Sequence, residues 1–141
     1  MRITMTAESV RKSGKKILVV DDEPDVVAYV ANFLADHGFD VISANDGKQG
    51  ITKAKAELPD LIVLDIVMPK DTGVRMYRDL YEDAQTKHIP VIMLTGIAHE
   101  FKHFIGTRRQ VPAPAGYFEK PADLNKMLEK IEEILSSRPV Q

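Results

Sequence analysis

The chain contains no cysteine. Disulfides, thiolate zinc sites and cysteine nucleophiles are therefore excluded, and nothing points to secretion. An excess of one charge is also missing. Lys and Arg number 19 against 21 Asp and Glu, for a net charge of -2, without the basic surplus of a dedicated nucleic-acid binder. No apolar run approaches the roughly eighteen residues that span a bilayer. The opening MRITMTAESVRKSGKK lacks the apolar stretch of a signal peptide. There is no internal repeat and no low-complexity block.

What is there suits a single cytoplasmic domain. The chain has 141 residues, of which 44% are hydrophobic and 28% charged, enough for one core and unlike a disordered polymer. Arg2, Arg11, Lys12, Lys15 and Lys16 face one acid, Glu8, near the start. Residues 1–15 are therefore expected to be a flexible, solvated basic arm, 16–136 the folded domain and 137–141 a short tail.

Short apolar runs alternate with amphipathic stretches. Lys16–Val20, Phe39–Ala44, Asp60–Asp65, Pro90–Thr95 and Gly116–Glu119 read as strands, rich in Val, Ile and Leu and too short for helices. The first, third and fourth are continuously apolar, as in parallel strands covered on both faces, whereas the second alternates like an edge strand. Helical spacing groups Val26, Val27, Val30, Phe33 and Leu34, then Ile51, Ala54 and Leu58, then Val74, Tyr77, Leu80, Tyr81 and Ala84. It ends with Leu124, Met127, Leu128, Ile131 and Leu135 after Asp123, a candidate cap. Pro24 suits a helix start and Gly38 follows a helix end. Strict alternation implies an α/β fold with right-handed crossovers, a doubly wound (βα)5 five-stranded parallel sheet in the order 2-1-3-4-5. Its first and third strands meet at the switch point, where such sheets bind ligands beyond the carboxyl ends.

Those ends are polar. The first strand runs into Asp21, Asp22 and Glu23, the third ends at Asp65, the fourth at Thr95 and the fifth meets Lys120 and Pro121. Two like charges about 4 Å apart cost roughly 4 kcal/mol at an effective dielectric of 20, so cations have to offset the cluster. Lys120 supplies one. Oxygen-only ligands favour a hard divalent ion, Mg2+ or Mn2+. A carboxylate beside such an ion, with a lysine and a hydroxyl nearby, suits phosphoryl transfer, with Asp65 as nucleophile. Singly, each residue has an ordinary explanation: Asp21 and Asp22 as helix caps, Asp65 as a turn former, Thr95 as a strand end, Tyr117 as core.

ILVVDDEPDV, LIVLDIVMPKDTG, IPVIMLTG and GYFEKP, in this order, resemble the motifs of the response-regulator receiver domain of two-component signalling, over about Lys16 to Leu135. The resemblance implies a stand-alone response regulator whose Asp65 accepts a phosphoryl group from a sensor histidine kinase or histidine phosphotransfer protein. It implies that Asp22, Asp65 and the Val67 backbone carbonyl ligate magnesium, with Asp21 acting through water. Lys120 would contact the phosphoryl group, Thr95 and Tyr117 would be the switch residues, and Pro121 a cis-proline. Such a protein is a signalling phosphoacceptor and not a conventional enzyme. Its downstream effector would bind the surface of the fourth helix, fifth strand and fifth helix. A phosphorelay intermediate or a phosphorylation-independent docking module are the alternatives.

The sequence departs from that pattern in GIAHEFKHFIGTRRQVPAPAGY, at 96–117, where Pro112 and Pro114 forbid regular helix. Thr72 stands where an acid usually precedes Gly73. Val67 and Ile97 are apolar at positions that tune dephosphorylation in the family, so a long-lived acyl phosphate is expected. A half-life no longer than that of a Val67→Asn, Ile97→Glu variant would count against it. His99-Glu100-Phe101-Lys102-His103 fits the zinc-protease pattern HExxH, with Gly106 extending it. The next ligand position is Arg109, which binds no zinc, and on a helix the two histidines point away from the apolar face of Ile97, Phe101, Phe104 and Ile105. Metalloprotease activity is thus a remote alternative. Lys102, Arg108 and Arg109 read as a solvated basic cluster, and His37 and His88 as structural.

Overall fold

The computed structural model describes residues 14–96 and 113–137. Five parallel strands, β1 (Lys16–Val20), β2 (Asp40–Ala44), β3 (Leu61–Asp65), β4 (Val91–Thr95) and β5 (Gly116–Glu119), form one sheet in the order β2-β1-β3-β4-β5. The described helices are α1 (Pro24–Asp36), α2 (Gly47–Glu57), α3 (Thr72–Glu82) and α4 (Leu124–Ser137), with a single 3-10 turn at Pro69–Asp71. The helix expected between β4 and β5, the HEFKH motif with Arg108 and Arg109, Ile97, and most of the basic arm lie outside the described residues.

Strand side chains alternate between faces, and here both faces are apolar. Leu18, Val20, Ile62, Leu64 and Met93 point to one side, where they pack with Ala54 of α2 and Met76, Tyr77 and Leu80 of α3. Ile17, Val19, Leu61, Val63, Ile92 and Leu94 point to the other, where they meet Val30 and Leu34 of α1 and Met127 and Ile131 of α4. Parallel register sets Val19, Val63 and Ile92 side by side. Each fully buried aliphatic chain contributes about 1.5–3 kcal/mol against the entropy of ordering it. β2, at the edge, is only partly buried.

The caps are local chemistry. Asp46 Oδ1 accepts from Gln49 N–H at 2.8 Å to start α2, and Asp123 Oδ1 accepts from Lys126 N–H at 3.1 Å to start α4. Three positions expected on the buried helix faces differ in the structure. Leu58 does not share the buried face of α2: it is the left-handed C-cap, at φ 46°, and stands exposed. Pro59 follows it, and a proline disfavours helical backbone in the preceding residue. Ala84 lies past the end of α3, and Tyr81 in its last turn is exposed. The chain turns there because the Thr86 hydroxyl donates to the Leu80 carbonyl at 2.7 Å.

Candidate functional site

The sheet topology gathers the acids. Val20 and Leu64 are paired neighbours on β1 and β3, so the residues that follow them, Asp21 and Asp65, emerge together at the carboxyl rim. Asp65 continues the register one step, opposite Leu94 of β4. Gly73, at the start of α3, is required by close approach. A Cβ there would stand 2.4 Å from the Asp65 carbonyl oxygen, against backbone that cannot yield.

Asp21, Asp22 and Asp65 bring one carboxylate oxygen each within 4.8 Å of one another. Asp21 and Asp65 are buried, and Asp22 is exposed. Asp65 Oδ1 accepts from the Val67 N–H at 2.9 Å, and Asp21 Oδ1 accepts from the Glu23 N–H at 2.9 Å. The far oxygens converge on one ammonium. Lys120 Nζ lies 3.2 Å from Asp65 Oδ2, 3.0 Å from Asp21 Oδ2 and 2.9 Å from Glu23 Oε1. β5 delivers this lysine: its backbone N–H donates to the Thr95 carbonyl at 2.8 Å, and the Lys120–Pro121 peptide bond is cis. Thr95 is fully buried at the end of β4. Tyr117 sits opposite Met93, half-buried. Val67 is exposed beside Asp65.

Among the described residues Lys120 is the one cation paired with this group, and one positive charge does not balance it. Burial, helped by the charge of Asp21, pushes the Asp65 carboxyl up to about 7, against the pull of the Val67 N–H and Lys120. Asp21 is also raised, by burial first, with the Glu23 N–H and Lys120 opposing. Burial pulls the Lys120 ammonium down, but Glu23, Asp21 and Asp65 outweigh it and leave it above the ordinary lysine value. Burial and then the Glu119 carboxylate raise Tyr117.

The residues fit a hard divalent cation. All donors are oxygens, they converge, and the buried Asp21 Oδ2 accepts no hydrogen bond in correct geometry, being held by its ion pair with Lys120. A second cation among these carboxylates would relieve a charge excess that one lysine leaves standing.

Sequence reasoning missed one participant. In the sequence Glu23 is only the residue after Asp22, yet in the fold it holds Lys120 from 97 positions away. A glutamate at a helix start was the available sign.

Fold and site together define a doubly wound parallel α/β protein with an acidic pocket at its switch point. The response regulator receiver domain family matches residues 17–132, and the chain belongs to that family. It is 36% identical over 121 residues to protein PilH of Pseudomonas aeruginosa, covering 86% of this chain and 98% of that protein. It is 37% identical over 122 residues to the alkaline phosphatase synthesis transcriptional regulatory protein PhoP of Bacillus subtilis, of which it spans only 49%. Among solved structures, the Vibrio cholerae chemotaxis protein CheY4 superposes with a TM-score of 0.74 at 29% identity, covering 86% of this chain and 98% of that one. The family is one of signalling phosphoacceptors and not of conventional enzymes. The match runs through the HEFKH segment, and a zinc-protease reading finds no support. Among the described residues no helix is long and apolar enough to cross a membrane.

Proposed function

We propose that this receiver accepts a phosphoryl group on Asp65 from the phosphohistidine of a sensor kinase or phosphotransfer protein in the cytoplasm. The observation that carries the reading is Asp65 Oδ2 at 3.2 Å from Lys120 Nζ within the three-carboxylate cluster. An Asp65 oxygen attacks phosphorus, the new O–P bond forms as the donor's N–P bond breaks, and the electron pair leaves on the imidazole nitrogen, which takes a proton from water. Asp22, Asp65 and the Val67 carbonyl would hold magnesium, with Asp21 acting through water. When bound, the ion supplies charge neutralisation for the transferring oxygens. Lys120 would contact those oxygens, and the Thr95 hydroxyl would donate to one of them. Drawing Thr95 toward the phosphoryl oxygen and repacking Tyr117 would shift a pre-existing equilibrium and alter the surface around β5 and α4 that a downstream protein reads. Residues 16–136 would be the unit that does this.

Intact mass after incubation with acetyl phosphate tests the reading. Magnesium-dependent addition of one phosphoryl group to the wild type, absent in Asp65→Asn, is the expected result. No addition with acetyl phosphate or with any histidine kinase supplied, on a folded chain that binds magnesium, overturns it.

A further inference from the structure

Glu23 is the N-cap of α1, but its side chain does not cap the helix. Its carbonyl alone accepts from the Val26 and Val27 N–H groups, at 3.0 and 3.1 Å. Glutamate is not a favoured N-cap, whereas Ser, Thr, Asp and Asn are. Pro24, at the first helical position, removes one donor that a cap would serve. The Glu23 carboxylate instead crosses to the end of β5 and meets Lys120. Its own backbone is fixed by the N–H bond to Asp21 Oδ1.

An ammonium has three N–H donors. Two of them go to Glu23 Oε1 and Asp65 Oδ2, at 2.9 and 3.2 Å, and Asp21 Oδ2 adds an ion pair at 3.0 Å outside hydrogen-bond geometry. A phosphoryl oxygen on Asp65 has to compete for Lys120, and because forming the acyl phosphate removes the charge of Asp65 itself, the competitors are Asp21 and Glu23. The three carboxylates are not equivalent. The side chain of Asp21 is 0% exposed and that of Asp65 is 1% exposed, against 60% for Glu23. Releasing Asp21 would leave a buried carboxylate without its cation, which is costly. Releasing Glu23 returns an exposed carboxylate to water, beside a cleft of about 610 Å3 that it lines with Lys120.

Building on the phosphoacceptor reading, we propose that Glu23 is a positioning residue that holds Lys120 in the resting state and competes for it with the incoming phosphoryl oxygens. Its charge lowers the affinity of the site for a phosphoryl group and slows loading from small anionic donors. Glu23 gives way when the site fills, and Asp21 keeps its hold.

The test compares wild type, Glu23→Gln and Asp25→Asn in the full chain with saturating magnesium. Beryllofluoride serves as the phosphoryl mimic, and 19F NMR reads the bound fluoride. Asp25 is the control because it is an exposed acid in the same first turn and lines the same cleft, but it is not among the ion-pair partners of Lys120. Glu23→Gln is expected to bind about threefold more tightly, the order of one exposed ion pair, with the gain fading at high salt. Asp25→Asn should stay close to wild type. A gain in affinity also separates the proposal from structural damage, which would weaken binding. Unchanged affinity in Glu23→Gln, or an equal gain in Asp25→Asn, overturns the inference. No binding to the wild type overturns the phosphoacceptor reading instead.

Discussion

At the amino rim of the sheet, Lys16 Nζ meets Glu57 Oε1 at 2.7 Å with both side chains partly in water. Asp60 Oδ2 accepts the Lys16 N–H at 2.8 Å, and the Asp60 N–H donates to the Lys16 carbonyl at 2.8 Å. Lys16 makes one ion pair there, and the Asp60 carboxylate is met by a backbone N–H. At the carboxyl rim one ammonium is shared by three carboxylates, two of them buried. The same sheet thus ends once in settled contacts and once in a charge excess. The titrating groups record the difference: Lys16 holds Glu57 below its ordinary value, whereas burial holds Asp65 above its own. Local pairing of the first kind closes a fold. An unmet demand for positive charge at the switch point of the sheet is what a cation and a phosphoryl group can answer.

The strongest way to break this comparison is Lys120→Met. It leaves Asp21 and Asp65 buried without their ammonium, and we expect a loss of about 2–3 kcal/mol at pH 8 in chelator, less than for a fully enclosed pair because the site is open on the Glu23 side. The loss should shrink at pH 5, where the carboxyls can take up protons. Urea denaturation at the two pH values checks this, and an equal loss at both would show that packing of the lysine stem dominates.

A smaller effect of opposite direction is expected from Asp65→Asn. The folded carboxyl binds its proton up to about pH 7, while the ordinary value is 3.8. Between those values the folded state holds more protons than the unfolded chain, so stability falls as pH rises through the window. The penalty is absent below the unfolded value and complete above the folded one. Replacing the acid by its neutral isostere should therefore stabilise the metal-free protein by roughly 1–2 kcal/mol at pH 8, a figure discounted for solvent screening. The gain should nearly vanish at pH 4. Saturating magnesium should reverse the order, since only the wild type keeps the ligand. Urea midpoints without and with magnesium read both effects.

Much of this is legible in the sequence, because the sheet writes itself in local patterns. Five short apolar runs match strands whose observed ends agree to within one residue, and the acids at the end of one and just past the end of another had to meet once the strand order followed. Leu58 was misread because periodicity counts a residue as helical until something stops the helix, and the stop was the proline after it. Glu23 escaped for another reason. Its partner is distant in the chain, and nothing in the spacing of charges says that a capping position will give up its cap. Pairings made across the rim depend on the closed fold, whereas caps and strand faces do not.

The smallest effect belongs to the amino rim, and it sharpens the contrast. Lys16→Met removes the ion pair with Glu57 but leaves the backbone bonds of β1 to Asp60 intact. Both groups are solvated, so salt and water already screen the pair. The hydrogen bond from Lys16 and then its charge lower the Glu57 carboxyl. A depressed acid stabilises the fold above its unfolded value and loses that contribution as pH falls through the folded one, the reverse of Asp65. The expected outcome is a shift in urea midpoint near measurement error at pH 8, absent at pH 3 and absent at about 0.5 M salt. A loss comparable to that of Lys120→Met would erase the distinction between the rims, because it would mean that a solvated pair carries as much as an ammonium held among buried carboxylates.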